Sequence, residues 1–265
     1  MKVGFIGAGN MGGAIAKAVS KCALQPEILL ADYSREKAAA LAGEIGAGVS
    51  DNLEVVQQCD FVFLGVKPQV LAGVLEQIAP AAAAKSGRTV FVSMAAGVTM
   101  NTILAHMGQG TALIRIMPNT PVSVGSGMIL FDCSPDVTQE EQADFLAIME
   151  KAGRVDRLPE HLIDAGCAVS GCGPAFAFLF AEALADGGVV CGLPRDKAME
   201  YAAQMLYGAA DLLLQSKQHP GQLKDAVCSP GGSTIRGVQA LEENGFRGAV
   251  MDAVIAAYDK TVQLG

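Results

Sequence analysis

The chain has 265 residues, a net charge of −8 and 51% hydrophobic residues, enough for one or two domains with a sizeable core. This composition excludes a disordered chain. Acid exceeds base in both 1–158 and 159–265 and no basic run is present, which excludes general nucleic-acid binding. The 31 glycines follow no three-residue period, so they point to tight loops and close backbone packing and not to a collagen-like helix.

In chain order, short apolar runs at 3–6, 28–31, 61–66, 89–93 and 113–117 predict buried strands. They alternate with helical patterns at 11–21, 35–45, 51–58, 69–79 and 99–105. A final strand pair is expected within 125–131 and a helix over 138–151. This alternation implies βαβ units on a mostly parallel sheet, an α/β fold. From 159 onward strand-like runs nearly vanish, and helices are expected at 174–185, 194–214, 235–241 and 249–262. Two domains are therefore predicted, 1–158 α/β and 159–265 all-α.

The seven cysteines form no C-x-x-C pair and the three histidines are far apart in sequence, so no metal site is expected. Scattered free cysteines fit a reducing cytoplasm. The N-terminus reads as a strand entering a loop and not as a signal segment. The long uncharged stretches 89–114 and 165–181 are interrupted by glycine and polar residues, so no membrane span is expected.

The first strand–helix junction reads Gly7-Ala8-Gly9-Asn10-Met11-Gly12. This is the G-x-G-x-x-G spacing of a dinucleotide phosphate loop, and its strand–loop–helix context strengthens it. The pattern assigns a tight turn to Gly7, close approach of a pyrophosphate to Gly9, and helix–strand packing to Gly12. The following helix N-terminus offers free N–H groups and partial positive charge to phosphates. Asp32, 20 residues past Gly12, ends the second strand where a ribose would lie. Asp32 would favour the free 2′-hydroxyl of NAD, whereas Ser34 and Arg35 follow it and Arg35 could hold a 2′-phosphate, so these residues leave both nucleotides open.

Three later strand ends carry unusual strings: Val66-Lys67-Pro68, Ala95-Ala96-Gly97 and Met117-Pro118-Asn119-Thr120-Pro121. Ligands of open α/β sheets bind beyond the carboxyl ends of strands, so all three are candidates to line a cofactor. In the helical part, Ser229-Pro230-Gly231-Gly232-Ser233-Thr234 precedes a helix. It reads either as a carboxylate cradle of N–H groups and hydroxyls or as a helix start capped by Ser233 or Thr234.

Together these strings resemble pyrroline-5-carboxylate reductase. The residues that carry the resemblance are Gly4-Phe5-Ile6 with the phosphate loop, Val66-Lys67-Pro68, Ala95-Ala96-Gly97-Val98-Thr99, the Met117-to-Pro121 string, Leu223-Lys224-Asp225 and the segment 229–235. They stand in the family's order over nearly the whole chain.

The resemblance implies reduction of the C=N bond of 1-pyrroline-5-carboxylate to L-proline with NADPH or NADH. It implies a Rossmann-type N-terminal domain and a helical C-terminal dimerisation domain, in a homodimer or larger homo-oligomer whose active site lies between cofactor domain and dimer helices. By position, Gly7, Ala8, Gly9, Asn10, Met11 and Gly12 would hold the pyrophosphate. Asn52 would lie near the adenosine ribose, with Asp32, Ser34 and Arg35 at the nucleotide end. Val66, Lys67, Pro68, Ala95, Ala96 and Gly97 would line the nicotinamide side, and Asn119 would also bind the cofactor. Ser229, Gly231, Gly232 and Ser233 would bind the substrate carboxylate, and Thr234 would hydrogen-bond the ring nitrogen as the catalytic residue. The family often has Ser at Cys172. Its NADPH-preferring members often carry Asn-Arg or Thr/Ser-rich strings at 32–35, and family habit tips the expectation toward NADPH.

Two rival readings differ in what they need. A β-hydroxyacid dehydrogenase would need a basic lysine in the helical part, for which Lys197 and Lys224 are nearest. A nucleotide-sensing regulator would not need the carboxylate cradle. Glu182 and Asp186, one helical turn apart, could flank a positive imine or serve as polar helix or dimer contacts.

Overall fold

The computed structural model describes residues 1–264. The chain divides into two compact units: Met1–Cys172 with the C-terminal end of the chain from Ala257, and Gly173–Ala256. In the first unit, eight strands form one sheet: β1 (Lys2–Ile6), β2 (Glu27–Ala31), β3 (Gly48–Val49), β4 (Phe61–Leu64), β5 (Val90–Ser93), β6 (Ala112–Met117), β7 (Gly127–Cys133) and β8 (Gly153–Arg157). Their order is β3-β2-β1-β4-β5-β6-β7-β8. Every pairing is parallel except β6 with β7, so β7 and β8 run against the other six. The chain builds outward from β1 on one side and restarts with β4 on the other. The crevice at this reversal is where open α/β sheets bind dinucleotides.

Burial on both faces explains why the inner strands are continuous apolar runs. On one face Val3, Phe5, Phe63, Val92 and Ile114 pack with Ile15 and Val19 of α1 (Asn10–Val19), Leu41 of α2 (Arg35–Ile45) and Phe145 of α6 (Gln139–Ile148). Phe5 and Phe63 stack with ring centroids 4.8 Å apart. On the other face Ile6, Val62, Leu64 and Phe91 meet Val55 of α3 (Asn52–Gln58), Leu75 of α4 (Pro68–Ala84) and Ile103 of α5 (Met100–Met107).

The second unit is helical: α8 (Gly173–Val190), α9 (Arg195–Ser216), α10 (Pro220–Ala226), α11 (Ser233–Glu243) and the greater part of α12 (Phe246–Leu264). Its buried hydrophobic residues are small: Ala181, Ala185, Ala198 and Ala202. Phe178, Leu179, Tyr207, Leu214, Met251 and Ile255 are all exposed.

The α/β and all-α halves match the expected classes, but the packing boundary falls at Cys172 and not at Leu158. The cause is α7 (Glu160–Gly166) and the π-helical turn Cys167–Gly171 after it. Ile163 and Cys167 pack on Met117 of β6 and Leu130 of β7, which ties this segment to the sheet.

Candidate functional site

At the end of β1, Gly7 adopts φ 101°, and its N–H donates to the Ala31 carbonyl at 2.7 Å. A Cβ on Gly7 would lie 2.6 Å from the Gly65 carbonyl carbon, and one on Gly65 would lie 2.7 Å from the Gly7 oxygen. A Cβ on Gly12 would collide with that same oxygen. Three glycines therefore let β1, the start of α1 and the end of β4 meet backbone to backbone. Gly65 was not among the expected residues. Its signal was the glycine directly after an apolar strand, ahead of Val66-Lys67-Pro68.

Gly9 has the opposite environment. Apart from its own chain neighbours, no atom among the described residues comes within 4 Å of a Cβ placed there, so the backbone is open to a ligand. Gly9 is also the N-cap of α1, with no side-chain cap and no acidic residue in the first turn. The free N–H groups of that turn thus keep their partial positive charge. A groove of about 570 Å³ borders Ala8, Gly9, Asn10, Gly13, Lys17 and Lys37. Open backbone at Gly9, an uncapped helix end and Lys37 fit a pyrophosphate, whereas Lys17 is paired with Glu44, which borders the same groove.

Asp32 is engaged by the protein itself. Its Oδ2 accepts from the Ala8 N–H at 2.7 Å and its Oδ1 from the Ser34 N–H at 2.8 Å. Both oxygens of the expected ribose ligand therefore brace the phosphate loop against the β2–α2 turn. Ser34 caps α2 by accepting from the Lys37 N–H, and Arg35 beside it is exposed and has no ion-pair partner among the described residues. Asn52 opens α3, and its side chain donates to Gln77 at 2.8 Å.

At the other strand ends, Val66 is half-buried, Lys67 is exposed and Pro68 is the first residue of α4. Ala95 and Gly97 are buried and Ala96 half-buried, in a turn closed by the Val98 N–H on the Ala95 carbonyl. Gly97 supplies the positive φ of 74° that this turn requires. Asn119 is 8% exposed. Its Nδ2 donates to the Ser170 carbonyl and its Oδ1 accepts from the Met128 N–H, both at 2.9 Å. The structure thus uses the Asn119 side chain to hold two backbones, with one amide hydrogen and one Oδ1 lone pair left over.

In the second unit, Gly232 is the N-cap of α11, and its N–H donates to the Ser229 carbonyl at 3.0 Å. No side chain caps this helix and its first turn holds no acid, so neither Ser233 nor Thr234 is a cap. Both follow Gly232 in the first turn. Ser229, Ser233 and Thr234 are exposed, and their hydroxyls have no protein partner among the described residues. A Cβ on Gly232 would strike the Ser229 hydroxyl, so any larger residue there would turn that hydroxyl from its present position. Asp186 forms an ion pair with Arg195 across the α8–α9 junction, which accounts for it as a helix contact.

All seven cysteines are free, and no cluster of metal-ligating side chains occurs among the described residues. Burial pushes the Cys167 thiol up to about 11, with neighbouring Cys172 and Asp164 adding to the shift.

Comparison with known proteins decides the relationship. Residues 160–264 match the family model for pyrroline-5-carboxylate reductase dimerisation, and residues 2–97 match that for coenzyme F420-dependent NADP oxidoreductases. The pyrroline-5-carboxylate reductase of Escherichia coli is 41% identical over 99% of this chain and 98% of its own length. The chain belongs to the pyrroline-5-carboxylate reductase family. A crystal structure of the Plasmodium falciparum pyrroline carboxylate reductase with NADP bound is 30% identical, with a TM-score of 0.89 over 100% of this chain and 98% of that one. Likeness to 3-hydroxyisobutyrate dehydrogenase of Mycobacterium tuberculosis is one of fold alone, at 14% identity and a TM-score of 0.51 over 71% of this chain and 65% of that one. The pyrroline-5-carboxylate reductase dimerisation match begins two residues past the expected boundary at Leu158, whereas the packing boundary lies at Cys172.

Proposed function

We propose that this chain reduces 1-pyrroline-5-carboxylate to L-proline with NADPH, the last step of proline biosynthesis, as a homodimer or larger homo-oligomer in the cytoplasm. The observation that carries the reading is the loop before α11. In a chain of this family, three unengaged hydroxyls stand at an uncapped helix N-terminus, which suits an anionic carboxylate. Ser229, Gly231, Gly232 and Ser233 hold that carboxylate, and Thr234 directs its hydroxyl to the ring nitrogen. A protonated cyclic imine is already electrophilic at carbon, so the protein's work is orientation and not nucleophilic attack. An unshifted threonine hydroxyl is a poor acid, so the proton comes from solvent or arrives with the substrate. When bound, the dihydronicotinamide supplies the hydride.

Gly9, Asn10 and Met11 hold the pyrophosphate at the N-terminus of α1. Ser34, Arg35 and Lys37 receive the 2′-phosphate, while Asp32 keeps the loop in place. NADH remains a poorer alternative. Free cysteines throughout support a reducing compartment. Glu160–Val190 is long and apolar enough to cross a membrane by length and composition, but it lies within the dimerisation match, and we assign its exposed apolar residues to subunit contacts.

The test is NADPH oxidation with pyrroline-5-carboxylate, run beside 3-hydroxyacids with NAD. Turnover of the imine and none of the hydroxyacids is expected. Lys197 and Lys224, which a hydroxyacid dehydrogenase would need, form surface ion pairs with Glu200 and Asp225. Thr234→Ala should lower kcat/KM on the order of a hundredfold, with Thr234→Ser recovering much of it. Unchanged kcat/KM in Thr234→Ala would remove that residue from the mechanism.

A further inference from the structure

Arg115 lies in the middle of β6, is 1% exposed, and is the largest fully buried side chain among the described residues. Two carboxylates of α7 meet it. Its Nη2 donates to Asp164 Oδ1 at 2.7 Å and its Nη1 to Glu160 Oε1 at 3.3 Å. Its buried Nε–H has no partner. A desolvated guanidinium requires such partners, and a cation between them relieves the repulsion of two carboxylates one helical turn apart.

Glu160 also reaches beyond this ion pair. The same Oε1 accepts from the Met100 N–H at 2.6 Å, shorter than its bond to Arg115. Met100 is the first residue of α5, three residues past Gly97, with Val98 and the N-cap Thr99 between it and the Ala95-Ala96-Gly97 turn. The Glu160 N–H is itself fixed on Asp132 Oδ2 of β7 at 2.8 Å. One carboxylate oxygen therefore connects the buried cation of the sheet, the first helix of the dimerisation segment and the exit of the turn assigned to the nicotinamide.

We propose that Glu160 is a positioning residue for cofactor binding: through the Met100 N–H it sets the height of the Ala95–Gly97 turn, while Arg115 holds Glu160 and Asp164 provides the remaining counter-charge. This rests on the reading that the turn borders the nicotinamide. The cofactor role belongs to the bond with Met100, and the bonds with Arg115 supply stability. The two can be separated by substitution. Glutamine at 160 keeps an oxygen for Met100 but loses the charge facing Arg115. Aspartate keeps the charge but is one methylene short of Met100.

The experiment titrates NADPH by dihydronicotinamide fluorescence without imine, and records KM for NADPH, kcat and Tm for the intact chain and four variants. Glu160→Ala and Glu160→Asp should weaken NADPH about tenfold in both Kd and KM, the scale of one charge-assisted hydrogen bond, with kcat changed less. Glu160→Gln should keep both constants within about twofold of the parent while lowering Tm. Asp164→Asn should lower Tm alone. If Glu160→Ala does not fold, Glu160→Asp against Asp164→Asn decides. Variants that lower Tm but bind NADPH as tightly as the parent would make Glu160 a purely structural clamp and overturn the proposal. A parent that binds NADPH without reducing the imine refutes the substrate assignment and leaves this test standing. A parent that binds no NADPH refutes both.

Discussion

Gly9 and Gly12 stand three residues apart in one loop, yet their substitution should fail for different reasons. Alanine at 12 places a methyl against the Gly7 carbonyl, which cannot yield without opening the β1–β4 contact. Alanine at 9 meets no atom among the described residues within 4 Å apart from its own chain neighbours. Gly12→Ala is therefore expected to lower Tm and abolish NADPH binding together. Gly9→Ala should leave Tm within about a degree and raise KM for NADPH about tenfold or more, because its methyl enters the space proposed for the pyrophosphate. Calorimetry beside cofactor titration separates the two, and an equal loss of Tm in both variants would refute the distinction. The spacing of the three loop glycines was visible in the sequence, since spacing is what the motif encodes. Asp32 and Asn119 were legible as important polar residues, but not their bonds to Ala8, Ser34, Ser170 and Met128. Whether a carboxylate at a strand end turns outward to a ribose or inward to the Ala8 N–H depends on tertiary geometry that no local string contains. Gly65 escaped because its partner glycines are remote in sequence.

At the scale of elements, periodicity located the buried strands and most helices, and it failed where burial was absent or a local signal was overruled. β8 (Gly153–Arg157) was missed because its Gly-Arg-Val-Asp-Arg string is an edge strand with no apolar run. α4 was expected to end at Ala79, before Pro80, but continues to Ala84 with the proline inside. The N-terminus of α6 shows how much one well-capped end contributes. Thr138 and Glu141 form a reciprocal capping box, and Arg88 pairs with Glu141 from outside the helix. Burial pushes the Glu141 carboxyl up, but hydrogen bonds from Arg88 and Thr138 outweigh it, so the net shift is below the ordinary 4.5. With the folded value depressed, the unfolded chain takes up the proton first. The stabilisation is present above pH 4.5 and is lost as pH falls through the folded value. Glu141→Gln should therefore cost about 1 kcal/mol at neutral pH. Its unfolding free energy should also fall less steeply than the parent's between neutral pH and about pH 3. Parallel denaturant curves across that range check this, and equal slopes for the two proteins would refute it.

For the whole molecule, the asymmetry between the units governs stability. The first unit carries a sheet packed on both faces with large side chains. The second buries four alanines as its hydrophobic core and exposes Phe178, Leu179, Tyr207, Leu214, Met251 and Ile255. So small a core does not offset the chain entropy of five helices, and exposed apolar surface on this scale marks a subunit contact. The low charge and abundant alanine and glycine of the sequence could not separate core from interface, since both are apolar. The dimerisation match over residues 160–264 makes that separation. Folding of the second unit and pairing are then one equilibrium, and its stability follows protein concentration. A tenfold rise in concentration should raise Tm by on the order of a few degrees, with light scattering reporting a dimer or larger assembly. Leu179→Glu places a charge on the exposed apolar surface of α8. It should shift the mass toward monomer, lower Tm, remove much of its concentration dependence and spare NADPH binding by the first unit. A parent chain that runs as a monomer with a concentration-independent Tm would sink this account, because its second unit would have to be stable on four buried alanines.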